Sequence, residues 1–277
     1  MAVLGCCKSV YGPLLLVLLS CFCTCHAATV ATGYFQIKAL KGLTLEERLE
    51  KTNSALVDYL SGAHGNRSVP SVVVFPEFAI GPDSYLSKSG LLPYCLPTAM
   101  LQDPKSQGSD LLASFRETAK QFDVVVLLNL CEQADDILYN TDVIIAGDGL
   151  TEALYRKTHP FYINVFSSPT TTEHVVVNVP RLGPKIGVFT CFDIAFKEPA
   201  VTLRGEGIDT FLYPSALAVF GPVSQSIVEL WTHAHNATLV SASYGSTATG
   251  CFRHGKHIDG ITMSTVIEGL DFIETDI

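Results

Sequence analysis

Short apolar, β-favouring runs recur along the chain, and each is closed by glycine, proline or polar residues. They predict strands within residues 29–40 (Tyr34, Phe35 and Ile37), 72–75, 124–130, 209–213 and 238–244. Residues 139–146 and 150–156 predict a hairpin about Gly147-Asp148-Gly149, and residues 173–179 and 185–190 another about 180–184. Between the strands the period changes to that of a helix. Leu45, Leu49, Leu56 and Leu60 lie on one face of a helix that Thr44 caps, with Glu47 completing a capping box. Ser109 opens a second helix with Leu111, Leu112, Phe115 and Ala119 inward, a short helix starts near Lys197, and residues 224–235 form another. Residues 79–108, rich in Gly, Pro, Ser and Tyr, read as a long loop of the kind that covers a site. Residues 245–277 hold two weaker strands. Strands and helices alternate without repeats or a domain-scale linker, so the chain reads as one α/β domain.

Three strands end on residues that carry chemistry. The run 72–75 leads to Pro76-Glu77-Phe78, the second strand of the first hairpin delivers Lys157, and the run 186–189 ends at Thr190-Cys191-Phe192. Taken singly, Cys191 reads as a core or disulfide cysteine and Glu77 as a carboxylate turned to water. Together they make a different sense, because the carboxyl ends of α/β strands are where sites assemble. A carboxylate can take the thiol proton, the thiolate can attack a carbonyl, and an ammonium can hold the oxyanion, with the Phe192 backbone N–H as second donor. Glu77 can then activate water to hydrolyse the thioester. On this reading Lys157 acts through charge rather than packing, so Lys157→Met should change stability little.

The first 27 residues stand apart: Lys8 gives a basic start, residues 14–19 an apolar run too short to span a membrane, and Cys25-His26-Ala27 a small-residue cleavage site. Residues 1–27 are therefore expected to be a signal peptide, and the protein to be secreted. The chain of 277 residues is 48% hydrophobic and carries a net charge of −9; removing Lys8 makes the remainder one unit more acidic. Without Lys/Arg clusters it is a poor candidate for nucleic acid or anionic membranes, and no later stretch approaches membrane length. Asn66 and Asn236 each begin an N-glycosylation sequon, in keeping with an oxidising route. Beyond the leader stand Cys95, Cys131, Cys191 and Cys251; a free Cys191 leaves three, whose pairing stays open. His233 and His235 point apart on a helix, and Cys251, His254 and His257 lack a partner cluster, so neither set reads as a metal site. A papain-like context, a GxSxG elbow and a phosphate-binding glycine loop are all missing.

FPEF at 75–78, YRKTHPF at 155–161 and GVFTCFDIAFKEPAV at 187–201 resemble the carbon–nitrogen hydrolase (nitrilase) superfamily, closest to its vanin/biotinidase branch. YNTDVIIAGDGL at 139–150 and DTFLYPSA at 209–216 extend the resemblance over nearly the whole chain after the leader. It implies a four-layer α-β-β-α sandwich, with Glu77 as general base, Lys157 as the oxyanion lysine and Cys191 as nucleophile. It also implies an amidase that needs no cofactor or metal and acts on a small linear amide, pantetheine-like first, biotinyl second and a nitrile third. A homodimer is compatible with it. Two departures stand out. Asn164 falls where relatives carry a second glutamate that helps orient the lysine, with Glu173 in the next strand. The chain also stops near the end of the nitrilase domain, so the expectation is that domain alone, 28–277, without the further C-terminal domain of vanins. The alternative is a non-catalytic secreted binding protein that retains the fold.

Overall fold

The computed structural model describes residues 28–35, 39–63, 69–82, 87–102, 110–264, 268 and 270–277. Residues 1–27, Ile37, Asn66 and Ser109 lie outside them. The strands in chain order are β1 (Thr29–Phe35), β2 (Val72–Val74), β3 (Cys95–Pro97), β4 (Val125–Ala134), β5 (Ile137–Ile145), β6 (Thr151–Arg156) and β7 (Val176–Val179). There follow β8 (Gly183–Val188), β9 (Thr210–Ser215), β10 (Thr238–Ser243), β11 (Gly250–Arg253), β12 (Lys256–Ile258), β13 (Ile261–Ser264) and β14 (Leu270–Asp276). The helices are α1 (Leu45–Ala63), α2 (Lys88–Leu91), α3 (Thr98–Gln102), α4 (Ala113–Phe122), α5 (Thr202–Gly205) and α6 (Ser224–His235).

Two sheets result. The first runs β13-β14-β1-β2-β4-β5-β6, with β3 also paired to β4; the second runs β12-β11-β10-β9-β8-β7. Each has a parallel centre, β1-β2-β4 in one and β8-β9-β10 in the other, flanked by antiparallel strands. Central parallel strands are covered on both faces, so they read as unbroken apolar runs. In β2, Val72 and Val74 pack between the sheets against Val188, Leu212 and Val240, while Val73 faces the other way into the core under α1 and α4. On the far side of the second sheet, Val228 and Trp231 of α6 pack with Phe189 and Phe211. The layers are therefore helix, sheet, sheet, helix, the sandwich that the resemblance implies.

The capping box of α1 forms as its residues dictate: Thr44 N donates to Glu47 Oε2 at 2.8 Å and Glu47 N to Thr44 Oγ1 at 3.3 Å. α6 spans the expected residues and ends on Asn236 in the left-handed conformation (φ 49°). Three expectations need correcting. The second long helix begins at Ala113, and its approach is held by Asp110, whose Oδ1 accepts from Leu112 N at 2.9 Å. The segment 79–108 is not a loop throughout. α2, β3 and α3 bury Leu91, Leu96 and Leu101, and Cys95 is bonded to Cys131 of β4; elements this short leave no periodic trace in the sequence. Among the described residues, the region after 245 holds four strands, and β14 lies antiparallel beside β1, pairing Thr29 with Asp276.

Gly187 on β8 sits opposite Phe211 on β9, and a Cβ there would come within 2.4 Å of the Phe211 ring. Since the ring is packed against Phe189 and Trp231, it cannot move aside freely. Gly187→Ala should lower stability by about 1–3 kcal/mol, measured by urea denaturation.

Candidate active site

β2 and β6 run in the same direction within the first sheet, so their C-terminal ends share one edge. Glu77 follows β2, Lys157 follows β6, and Cys191 follows β8 of the second sheet. The structure brings the three together. Lys157 Nζ lies 2.5 Å from Glu77 Oε1, and Glu77 and Cys191 line one cavity, near enough for the carboxyl to act on the thiol electrostatically. Glu77 and Lys157 are each 1% exposed and Cys191 7%. Across the seam between the sheets, Glu77 N donates to Ser215 O at 3.2 Å.

A polar network that the sequence reading did not identify lies beneath these residues. Asn140 of β5 donates from Nδ2 to Glu77 Oε1 at 2.8 Å, and Asn129 Nδ2 donates to both Asn140 Oδ1 and Asp142 Oδ1 at 2.7 Å. Asn129 Oδ1 accepts from Phe78 N at 3.0 Å, and Thr190 Oγ1 lies 2.5 Å from Asp142 Oδ2. Buried polar groups need such partners, and here the partners also fix the carboxyl of Glu77. The available signal is the polar run Asn140-Thr141-Asp142 on a strand otherwise written for the core. Burial, reinforced by the charges of Glu77 and Asp193, pushes the Asp142 carboxyl up to about 7, against the bonds from Thr190 and Asn129.

Cys191 has a positive φ of 47°, as does Phe78 beside Glu77, at 63°. Non-glycine residues seldom adopt this conformation, and it projects the thiol from a sharp turn after β8. Tyr213 Oη donates to Cys191 O at 2.9 Å. Burial raises the Cys191 thiol well above its ordinary range; Glu77 adds to this, while Lys157 and the Ala216 N–H oppose it. Burial alone would lower Lys157, but the charges of Glu77, Cys191 and Asp193 outweigh it and hold the ammonium form. At rest the site therefore holds a neutral thiol beside a carboxylate–ammonium pair. Such an arrangement can move the thiol proton to the carboxylate as sulfur bonds to carbon.

The site opens into a cavity of ≈ 140 Å³. Glu77 and Cys191 form its polar part; Phe78, Phe161, Tyr162, Phe192, Ile194, Leu217, Phe220 and Ile227 give its apolar walls. Asn164 is exposed in the turn after Tyr162 and is not among the lining residues. Glu173 accepts from the Arg156 backbone N–H at 3.0 Å rather than from Lys157. Asn236 is exposed at the end of α6, and Cys191 and Cys251 carry free, buried thiols. Among the described residues, no group of three or more His, Cys, Asp or Glu is placed to hold a metal ion, and no helix is long and apolar enough to cross a membrane.

Residues 30–252 match the carbon–nitrogen hydrolase family. Pantetheinase of Mus musculus is 46% identical over 80 residues, and biotinidase of Takifugu rubripes 38% over 78; each match takes in 28% of this chain and 15% of the relative. The chain thus aligns with well under two thirds of these relatives' length. Among solved structures, a Saccharomyces cerevisiae member of branch 10 of the nitrilase superfamily superposes with a TM-score of 0.64 at 19% identity, over 90% of both chains.

The geometry revises one expectation. Lys157→Met would leave Glu77 buried beside an apolar side chain, and an unpaired buried charge is costly. The variant should lose about 3–5 kcal/mol, and Glu77→Gln in the same chain should restore much of it, both read from denaturation midpoints. Asp142 gives a pH test. Its folded value of about 7 lies above its ordinary 3.8, so the neutral form is favoured by folding. Its stabilising contribution is then complete at low pH and lost as the pH rises through about 7. Compared with Asp142→Asn, the wild type should lose stability over that range; a constant difference between the two chains would refute the assignment.

Proposed function

Because the chain belongs to the carbon–nitrogen hydrolase family, we propose that it is a secreted amidase cleaving a small linear amide through a thioester on Cys191. Glu77 accepts the thiol proton as Sγ bonds to the carbonyl carbon, and the carbonyl electrons move onto oxygen. Lys157 Nζ and the Phe192 backbone N–H hold that oxyanion, the first by charge and the second by a directed bond. The oxyanion collapses, the C–N bond breaks, and the leaving amine takes the proton from Glu77. Water then gives a proton to Glu77 as its oxygen attacks the thioester, and the thiolate leaves and recovers that proton. An acid and an amine are released and the enzyme is restored.

The observation that carries this reading is the meeting of Glu77, Lys157 and Cys191, of which Glu77 and Cys191 form the polar part of an otherwise apolar cavity. The same wall chemistry bears on the substrate. No arginine, histidine or lysine is among the described residues that line the cavity, so an acyl group bearing a carboxylate would be desolvated there without a partner. An uncharged acyl chain suits it, and among the amides considered pantetheine, which yields pantothenate and a thiol-amine, fits first and a biotinyl amide second. The likeness to pantetheinase and biotinidase supports that order. Residues 1–27 are assigned to a cleaved leader, in keeping with the Cys95–Cys131 disulfide and with glycosylation at Asn66 and at the exposed Asn236.

Purified protein should release free thiol from pantetheine, detected by a thiol reagent, and Cys191→Ala should abolish the release. Lys157→Met should retain ~10⁻²–10⁻³ of the turnover in whatever fraction stays folded. Iodoacetamide on the native protein should label Cys191 before Cys251, which is wholly buried. Labelling of Cys191 without turnover of pantetheine, a biotinyl amide or a simple neutral amide would leave a binding protein as the reading.

A further inference from the structure

Lys157 and Cys191 belong to different sheets, and no backbone ladder fixes one against the other. Lys157 follows β6, an edge strand of the first sheet, while Cys191 follows β8 in the second. The chemistry nevertheless needs the ammonium held within a fraction of an ångström of its place beside the thiol. Something other than sheet hydrogen bonding must set that distance.

We propose that Asp193 is a positioning residue that clamps the lysine-bearing turn 155–159 onto the cysteine-bearing turn 190–196, with His159 as its main handle. Asp193 is completely buried, two residues after the thiol. Its Oδ2 accepts from Thr190 N at 3.2 Å, within its own turn, and from Tyr155 Oη at 2.7 Å. Its Oδ1 accepts from His159 N at 2.8 Å and lies 2.9 Å from His159 Nδ1. A carboxylate can only accept, so Nδ1 carries the hydrogen. Tyr155 and His159 bracket Lys157 at i−2 and i+2, so one carboxyl grips the lysine turn on both sides. The His159 ring also stacks on Phe196 at the end of the cysteine turn, with centroids 3.8 Å apart and planes 5° from parallel. Hydrogen bond and stack alike lead from the lysine turn to the cysteine turn. The charge of Asp193 also helps keep Lys157 protonated.

Asp193 and His159 touch neither substrate nor the reacting atoms, so their effect must pass through the placement of Lys157. Removing the clamp should reduce the reactivity of the Cys191 thiol, which Lys157 favours as thiolate, and should lower kcat more than it raises KM. The proposal uses the assignment of Lys157 and Cys191 made above, but the first readout needs no substrate. The rate of Cys191 alkylation by iodoacetamide at fixed neutral pH is measured by peptide mapping for wild type, His159→Phe, His159→Asn and Lys157→Met.

His159→Phe keeps an aromatic ring for the stack but loses the Nδ1 donor. Its alkylation rate should fall about ten-fold, towards that of Lys157→Met. In His159→Asn the amide N–H can take the place of Nδ1–H, and most of the rate should return. With an amide that the protein turns over, kcat should follow the same order with KM nearly constant. Tyr155→Phe, which frees the other side of the grip, should act in the same direction and serves if His159→Phe folds poorly. The clamp would survive a failure of the amidase reading if alkylation falls in His159→Phe and recovers in His159→Asn without turnover of any amide. It is overturned if His159→Phe and Tyr155→Phe both alkylate within two-fold of wild type while losing stability, or if His159→Asn is no better than His159→Phe.

Discussion

A carboxylate and an ammonium buried beside a thiol, at the end of two packed sheets, set the terms for everything around them. Glu77 and Lys157 have almost no contact with water, and neither could stay charged there alone. Their mutual contact meets part of the cost; Asn140 meets more by donating to the same carboxylate oxygen. Asn140 is held in turn by Asn129, and Asn129 by Asp142 and the Phe78 backbone. The polar interior is thus a chain of obligations that begins at one ion pair. Each member also fixes the direction of the next, so desolvation and precise placement are solved by the same bonds.

The same burial explains why the thiol is neutral at rest. A thiolate in that place would add a second negative charge beside Glu77 with one lysine to answer both. In the proposed reaction, negative charge leaves the pair and reappears on the substrate oxygen only when sulfur bonds to carbon and its proton moves to Glu77. Lys157 is then released from a carboxylate to face an oxyanion. In an apolar cavity that exchange occurs at low dielectric, where a fixed donor counts for more than it would in water.

The sequence made the strand ends legible because parallel strands covered on both faces are written as unbroken apolar runs. Glu77, three residues past the apolar Val72–Val74, and Cys191, three past the apolar end of Gly183–Val188, therefore stand out, and Lys157 joins them as the residue directly after the edge strand Thr151–Arg156. The supporting network was much harder to read. Asn129 and Asn140 are ordinary residues on strands, and only three-dimensional pairing across β4 and β5 shows that they meet. The segment after Phe78 hides its structure for another reason. Its order comes from a disulfide and a few buried leucines in elements three to five residues long, and such elements have no period to detect. Asn164, chosen by spacing from the lysine, stands exposed because the chain turns outward between Tyr162 and Phe166.

That same disulfide belongs to the site's surroundings more than its place in the chain suggests. Cys131 packs in a small apolar cluster with Leu91, Leu138, Val165 and Phe166, against which Cys95, Phe78 and Tyr162 also rest. Phe78 stacks on Phe166 with centroids 5.9 Å apart, and Phe78 and Tyr162 are themselves walls of the cavity. Since Phe78 directly follows Glu77 and holds a positive φ, its ring cannot shift without pulling on the carboxylate's backbone. One face of this cluster is braced by a covalent bond between β3 and β4, and the other presents aromatic surface to the substrate. The small cavity gains rigidity there from the Cys95–Cys131 cross-link. Next to Tyr162, Phe161 meets Phe192 edge-on at 5.5 Å, joining the chain just after the lysine turn to the cysteine turn. The cavity is thus shaped by the same contacts that align the reacting groups, so altering its fit without disturbing the chemistry should require changes at Leu217, Phe220 or Ile227, which lie outside both turns.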